Sequence, residues 1–135
     1  MRAGILDANV ILRFFLNDHR EHAAAARALF TKAEIEELDL FLADTIVAEV
    51  TFVMEKVYKK QRAIIADALL DFIQNPGITL QSPSVLTDAL LRYRSHAIDF
   101  PDALVAAMAA GKGIPAISFD GDLDLFPDVT RYEPK

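Results

Sequence analysis

Short apolar runs alternate with longer helical segments along almost the whole chain. Such runs are typical of buried strands, and five candidates occur, at residues 3–6, 39–43, 78–80, 115–119 and, with a weaker apolar pattern, 129–132. Strands that alternate with helices pair in parallel through helical crossovers, and both faces of their sheet are then covered. The alternation predicts an α/β fold, a three-layer α/β/α sandwich around a parallel sheet of four to five strands.

The segments between these runs have helical spacing. In residues 62–74 the apolar side chains recur on one face and the polar side chains lie elsewhere, and residues 45–58 also form a helix by this criterion. Residues 102–110 carry no charge after Asp102 on any face. Because a helix that is apolar all round is normally buried, we expect this one to lie in the interior.

Length and composition limit the class of protein. The 135 residues contain no repeat, low-complexity stretch or Gly/Ser linker, so a single domain over residues 1–135 is predicted. There is no cysteine, which excludes disulfides, thiolate metal sites and a cysteine nucleophile. No stretch has the features of a membrane span or a signal peptide. We therefore expect a cytoplasmic protein with no membrane partner.

The net charge of −6 argues mildly against nucleic acid as a partner, because phosphate binding usually needs an excess of lysine and arginine. An acidic site that binds divalent cations would lower the formal charge and still attract phosphate once loaded. Basic residues also cluster locally, and they are interpreted here as solvated helix faces; they are Lys56, Lys59, Lys60 and Arg62, and Arg92 and Arg94. The overall charge leaves the question of nucleic acid open.

Asp7 and Asp120 each follow a predicted strand directly. In open parallel sheets the ligand site lies beyond the carboxyl ends of the strands, which is where Asp7 and Asp120 occur. Asp7 has an alternative role as a helix N-cap. Asp120 begins an Asp-x-Asp-x-Asp run with Asp122 and Asp124, which alone would be an ordinary acidic turn and lacks the later residues of an EF-hand loop.

Two further acids lie in predicted helices. Glu49 is placed at the shoulder of an apolar stripe and is expected to be half-buried, whereas Glu55 is expected at the surface. Asp102 begins the uncharged helix, and Asp99 lies three residues earlier. Both aspartates suit a helix N-terminus, and we assign capping to Asp99 and chemistry to Asp102.

These four acids can meet at one end of a parallel sheet. Two carboxylates about 4 Å apart repel by roughly 4 kcal/mol at an effective dielectric of 20, so a cluster of them takes up protons or binds cations. Hard oxygen ligands suit Mg²⁺ or Mn²⁺. The sequence therefore predicts a metal centre built from Asp7, Glu49, Asp102 and Asp120.

Four segments together resemble the PIN-domain nucleases, and more narrowly the VapC-type toxins of toxin–antitoxin pairs. They are Leu6-Asp7-Ala8-Asn9-Val10, Val47-Ala48-Glu49-Val50, Asp99-Phe100-Pro101-Asp102-Ala103-Leu104-Val105-Ala106-Ala107 and Ser118-Phe119-Asp120-Gly121-Asp122-Leu123. By this resemblance the family's acidic quartet falls on the same four acids, with Asn9 and Ser118 as supporting polar residues and Asp122 as a possible further ligand. Gly121 departs from the basic or polar residue common there.

The resemblance implies a PIN-like fold and endonucleolytic cleavage of RNA with one or two Mg²⁺ or Mn²⁺ ions. It implies that Glu49 or a metal-bound water acts as the base. It also implies a homodimer and a small cognate antitoxin that lays a helix in a groove and covers the active site. The expected role is therefore the toxin of a type II toxin–antitoxin pair.

Other classes fit the residues less well. A phosphatase of the haloacid-dehalogenase type needs a second aspartate at the position of Asn9. Gly111-Lys112-Gly113 matches no nucleotide-binding motif, and no serine has the glycines of a nucleophile elbow. His19 and His22 are interpreted as a helix start because no third metal ligand is evident. The remaining alternative is a non-catalytic PIN-like domain that binds RNA or a protein.

Overall fold

The structure is a computed structural model that describes residues 1–135. It divides into two compact units, Met1–Ser82 and Pro83–Lys135. No helix in it is both long and apolar enough to cross a membrane.

The first unit contains a three-stranded parallel sheet. Its strands are β1 (Ala3–Ile5), β2 (Asp39–Leu42) and β3 (Ile78–Leu80), in the order β1-β2-β3. The register pairs Gly4 with Leu40, and Leu40 with Ile78. Since all three strands run in the same direction, their carboxyl ends lie at one edge of the sheet.

Four helices and one π-helical turn connect these strands. They are α1 (Ala8–Leu16), α2 (Arg20–Glu34), α3 (Asp44–Phe52), the π turn Val53–Val57 and α4 (Arg62–Phe72). Aromatic rings of α1, α2 and α4 pack together with centroids 4.8–5.9 Å apart, and they belong to Phe14, Phe15, Phe30 and Phe72. This cluster is one source of the apolar burial that holds the helices to one another.

A tight turn before β3 anchors α2. A Cβ at Gly77 would lie 2.1 Å from the carbonyl oxygen of Ala33, so only glycine fits there. The side chain of Asn75 donates to the carbonyl of Phe30 at 3.0 Å and accepts from the Gly77 amide at 3.0 Å. The turn thereby satisfies backbone groups that would otherwise be buried without partners.

The second unit pairs two helices with two short strands. It contains α5 (Pro83–Ser95), α6 (Phe100–Lys112), β4 (Ala116–Ile117), a 3₁₀ helix (Gly121–Leu125) and β5 (Arg131–Tyr132). β4 and β5 pair in parallel, with Ala116 opposite Arg131. The ring centroids of Tyr93 and Phe100 lie 6.1 Å apart, in edge-to-face geometry, and link the two helices.

All five predicted strands are confirmed, because each observed strand lies within its predicted range and four of them are shorter than predicted. The parallel α/β architecture is also confirmed. The single sheet of four to five strands is not observed, because the strands form one sheet of three and one of two. β4 and β5 have two residues each, so their ladder supplies few hydrogen bonds with which to extend a sheet.

Two helix predictions also need correction. The predicted helix 45–58 is α-helical only to Phe52 and continues as the π turn. The helix after Asp102 is not buried all round, because the side chains of Val105 and Met108 are 43% and 42% exposed. Its alanines supply the buried face, and the lack of charge on the opposite face did not mean that this face was covered.

Candidate metal centre

Asp7 lies at the carboxyl end of β1, where the chain enters α1. It occupies the N-cap position with extended backbone angles, but its side chain forms no capping hydrogen bond. Asp7 is exposed, and so is Asn9, the second residue of the helix. The carboxylate of Asp7 is therefore not committed to the capping role that was its alternative interpretation.

Asp44 is an acid of the same sheet edge that the sequence analysis did not single out. It follows β2 after one intervening residue, and it begins α3. Its Oδ2 accepts a 2.6 Å hydrogen bond from the Ser82 hydroxyl, and its amide donates to Oε1 of Gln81 at 2.9 Å. Its Oδ1 is buried with no hydrogen-bond partner in the protein. The rule that picked Asp7, an acid directly after a strand, would also have found Asp44.

The exposures of Glu49 and Glu55 are the reverse of those predicted. Glu49 is exposed, whereas Glu55 is half-buried and lies 3.2 Å from the ammonium of Lys56 and 3.4 Å from the guanidinium of Arg62. Thr51 accounts for part of this result, because it is buried and its hydroxyl donates to the Ala48 carbonyl at 2.8 Å.

The buried face of α3 is consequently rotated from the predicted stripe. It contains Val47, Val50 and Thr51, and Met54 continues it into the π turn. At 100° per residue, Glu49 is on the side opposite to this face. The prediction of a half-buried Glu49 was wrong because it counted only apolar residues toward the buried face.

Asp102 lies in the first turn of α6 and is half-buried. Burial raises the pKa of its carboxyl above the ordinary value, and the negative charges of Asp120, Asp99 and Asp122 raise it further. Asp99 occupies the N-cap position, as predicted, although its side chain forms no capping hydrogen bond. Within the second unit, Asp102 is thus the acid whose charged form is destabilised by the neighbouring carboxylates.

Asp120 begins the turn after β4 and is held by local hydrogen bonds. Its amide donates to the Ser118 hydroxyl at 2.9 Å, and its Oδ1 accepts from the Asp122 amide at 2.9 Å. Asp120 is therefore the N-cap of the 3₁₀ helix. Ser118, predicted as a supporting polar residue, acts here on the backbone of Asp120.

Asp124 is separated from the other acids of this turn by an ion pair. Arg131 donates to both of its carboxylate oxygens at 3.0 Å, and this pairing lowers the pKa of Asp124. The same guanidinium donates to the Ser118 carbonyl at 3.1 Å. Of the three alternating acids, Asp120 and Asp122 remain to interact with Asp102.

His19 and His22 form a helix start, as interpreted from the sequence. The Nδ1 atom of His19 accepts from the His22 amide at 3.2 Å, and the two rings stack with centroids 3.8 Å apart. Neither unit contains a group of three or more histidine, aspartate or glutamate side chains arranged to hold a metal ion. The chemistry of the donors suits a hard divalent cation, because they are carboxylates. A cation would also relieve the like-charge repulsion at Asp102.

The family model of the PIN domain matches residues 4–129, which cover both units. No match to the chain was found among curated proteins.

Proposed function

The chain belongs to the PIN domain family, and from this premise we propose that it is a Mg²⁺- or Mn²⁺-dependent endoribonuclease. PIN domains are a nuclease fold that commonly uses divalent metal ions. We propose further that the enzyme is the VapC-type toxin of a type II toxin–antitoxin pair and acts in the cytoplasm. The narrower proposal rests on the resemblance of the four motifs described above.

The observation that carries the proposal is the grouping of Asp102 with Asp99, Asp120 and Asp122 in the second unit, where the acids act on one another through their charges. A first-turn aspartate gains about 0.3–1 kcal/mol from the helix dipole, which favours its charged form. At Asp102 burial and the charges of Asp120, Asp99 and Asp122 act in the opposite direction and raise the pKa. Acids held at such a cost to folding are a common feature of catalytic sites.

We propose Asp7, Glu49, Asp102 and Asp120 as the residues that would hold the metal, with Asp122 as a possible further ligand. A bound divalent ion would lower the pKa of a water molecule and stabilise negative charge on the phosphate. The exposed carboxylates of Asp7 and Glu49 are accessible from solvent, as ligands for a hydrated ion must be.

The chain's own groups have separate tasks in this proposal. Ser118 holds the amide of Asp120, and Asp120 in turn caps the 3₁₀ helix, which limits the motion of its carboxylate. Arg131 neutralises Asp124, which leaves Asp122 as the possible further ligand from this turn. Glu49 is exposed on α3 and is proposed to accept the proton of the attacking water.

The proposed partners are an RNA substrate, a second copy of the chain and a cognate antitoxin. An antitoxin that inhibits by occupying the acidic site would bring an arginine or lysine to it, because a guanidinium replaces the cation's charge and forms charge-assisted hydrogen bonds. A purified toxin–antitoxin complex should therefore be inactive. Full cleavage by such a complex would contradict this mode of inhibition.

Cleavage of RNA by matched variants tests the proposed activity. Single-turnover cleavage of a mixed RNA pool is measured in Mg²⁺ and in Mn²⁺ for the wild type, Asp102→Asn and Asp99→Asn, with EDTA as the blank. We expect Asp102→Asn to lower the rate by a factor of about 10² or more, as loss of one positioned charge often does, and Asp99→Asn to leave it near wild type. Equal rates for Asp102→Asn and wild type would remove Asp102 from the site, and no cleavage above the EDTA blank in the wild type would favour the non-catalytic alternative.

A further inference from the structure

The end of α3 and the π turn present exposed apolar side chains beside a group of cations. Phe52, Val57 and Ile64 are 62%, 62% and 56% exposed. Arg62, in the first turn of α4, donates a 3.4 Å hydrogen bond to Glu55 in the π turn, and this bond joins the two segments. Residues 52–64, which contain these three side chains and the cations between them in sequence, are here called the lysine-turn surface. Exposed apolar side chains that form a patch commonly mark an interaction site.

The charge of this surface is opposite to that of the whole chain. Residues 55–62 contain four cations, Lys56, Lys59, Lys60 and Arg62, and one acid, Glu55, which makes a local charge of +3 in a chain of −6. Glu55 contacts Lys56 and Arg62, whereas Lys59 and Lys60 are exposed at the turn itself. The two turn lysines are therefore positioned for an anionic partner.

The backbone of Lys59 adopts a conformation that favours glycine. Its φ is 56°, in the left-handed region. The flanking amides fix this turn, since Tyr58 donates to the Val53 carbonyl at 3.2 Å and Lys60 donates to the Met54 carbonyl at 3.0 Å. Glycine would adopt the same turn with less strain, so this lysine lowers stability.

Tyr58 is held in place at the edge of the same surface. Its hydroxyl donates to Oδ2 of Asp18 at 3.1 Å, and Arg13 donates to Oδ1 of Asp18 at 2.6 Å. The charge of Asp18 is thus paired, and it subtracts little from the positive field of the two lysines. The ring of Phe52 has no comparable partner among the aromatic contacts of the first unit and remains open to stacking.

We propose that the lysine-turn surface binds single-stranded RNA, with phosphates on Lys59 and Lys60 and a base stacked on Phe52. Cations beside exposed rings are the usual means of binding single strands, whereas lysine is depleted at the centres of protein–protein interfaces. This proposal rests on the proposed function, because it names the surface that holds the substrate of that reaction.

Equilibrium binding without metal tests this surface independently of catalysis. A fluorescein-labelled single-stranded RNA of about 12 nucleotides is titrated with the full chain in EDTA, between roughly 50 and 200 mM salt. Lys59→Gly should weaken binding about two- to fivefold and reduce the slope of log K against log salt by about 0.7. The same variant should melt about 1–4 °C higher, because the strain at φ 56° is relieved. Phe52→Ala should weaken binding by about fivefold or more.

Two matched variants separate this surface from general effects. Glu36→Gly changes another left-handed residue, with φ 61°, and removes the opposite charge, while Ile35→Ala truncates another exposed apolar side chain. Both should bind RNA as the wild type does. Wild-type affinity in Lys59→Gly and Phe52→Ala would overturn the proposal. If cleavage fails while RNA binding depends on Lys59, the proposed activity falls and the binding surface stands.

Discussion

Arg131 binds both carboxylate oxygens of Asp124 at 3.0 Å, and it thereby ties β5 to the 3₁₀ helix that follows Asp120. The same side chain reaches the carbonyl of Ser118 at 3.1 Å and the carboxylate of Glu133 at 3.1 Å. A planar guanidinium can make these contacts together because its donors form a fork. One residue near the end of the chain therefore sets the position of the acidic turn.

Replacing Arg131 tests this relationship. Arg131→Lys keeps the charge but cannot reproduce the bidentate geometry, so we expect a melting temperature roughly 2–4 °C lower and weaker Mn²⁺ binding. Arg20→Gln, at an exposed position on α2, is the control and should change neither. Unaltered melting and metal binding in Arg131→Lys would mean that the turn holds its shape without the fork.

Asp102→Asn should stabilise the protein near pH 7. The folded-state pKa of Asp102 is raised above its unfolded value of 3.8, so the folded state pays to keep this group charged at neutral pH. The neutral amide removes that cost. The gain should shrink as the pH falls toward 3.8 and below, where the carboxyl is protonated in both states. Urea unfolding at pH 7 and pH 4 measures the two values, and a less stable Asp102→Asn at pH 7 would contradict the assignment.

Mn²⁺ should stabilise the wild type more than Asp102→Asn. A ligand that binds only the folded state adds RT ln(1 + [L]/Kd), or about 1.4 kcal/mol at ten times Kd. Thermal melts in millimolar Mn²⁺ and in EDTA measure the shift, with Asp99→Asn as the matched control. An identical shift in all three proteins would place the ion away from Asp102.

Acid should unfold the protein in part through the pair of Asp128 and Arg92. The guanidinium of Arg92 donates to Asp128 at 2.9 and 2.5 Å, and this pairing lowers the folded-state pKa of Asp128 below 3.8. The stability from this pair is fully present well above pH 3.8 and is lost as the pH falls through the lower folded-state pKa. Asp128→Asn should therefore flatten the loss of stability between about pH 5 and pH 2.5.

Urea unfolding midpoints between about pH 5 and pH 2.5 measure the slope of stability against pH. Asp71→Asn, which changes an exposed aspartate of α4, is the control. If stability falls as steeply with decreasing pH in Asp128→Asn as in the wild type, protonation of other carboxyl groups causes the loss.

The sequence by itself determined the features that depend on local order. Short apolar runs identify all five strands, because a buried strand must be apolar over its own length whatever it packs against. Asp7 and Asp120 were recognised at strand ends for the same reason, since the end of a run is visible in the chain. The helix-start role of His19 and His22 is likewise a local pattern.

Only the tertiary structure decided the features that depend on partners distant in sequence. The exchange of Glu49 and Glu55 between buried and exposed positions follows from the burial of Thr51 and from the π turn, neither of which apolar periodicity reports. The bond from Ser82 to Asp44 joins residues 38 positions apart. Whether a carboxylate is paired, buried or crowded by like charges depends on such long-range contacts, because solvation and Coulomb energy are set by distance in space.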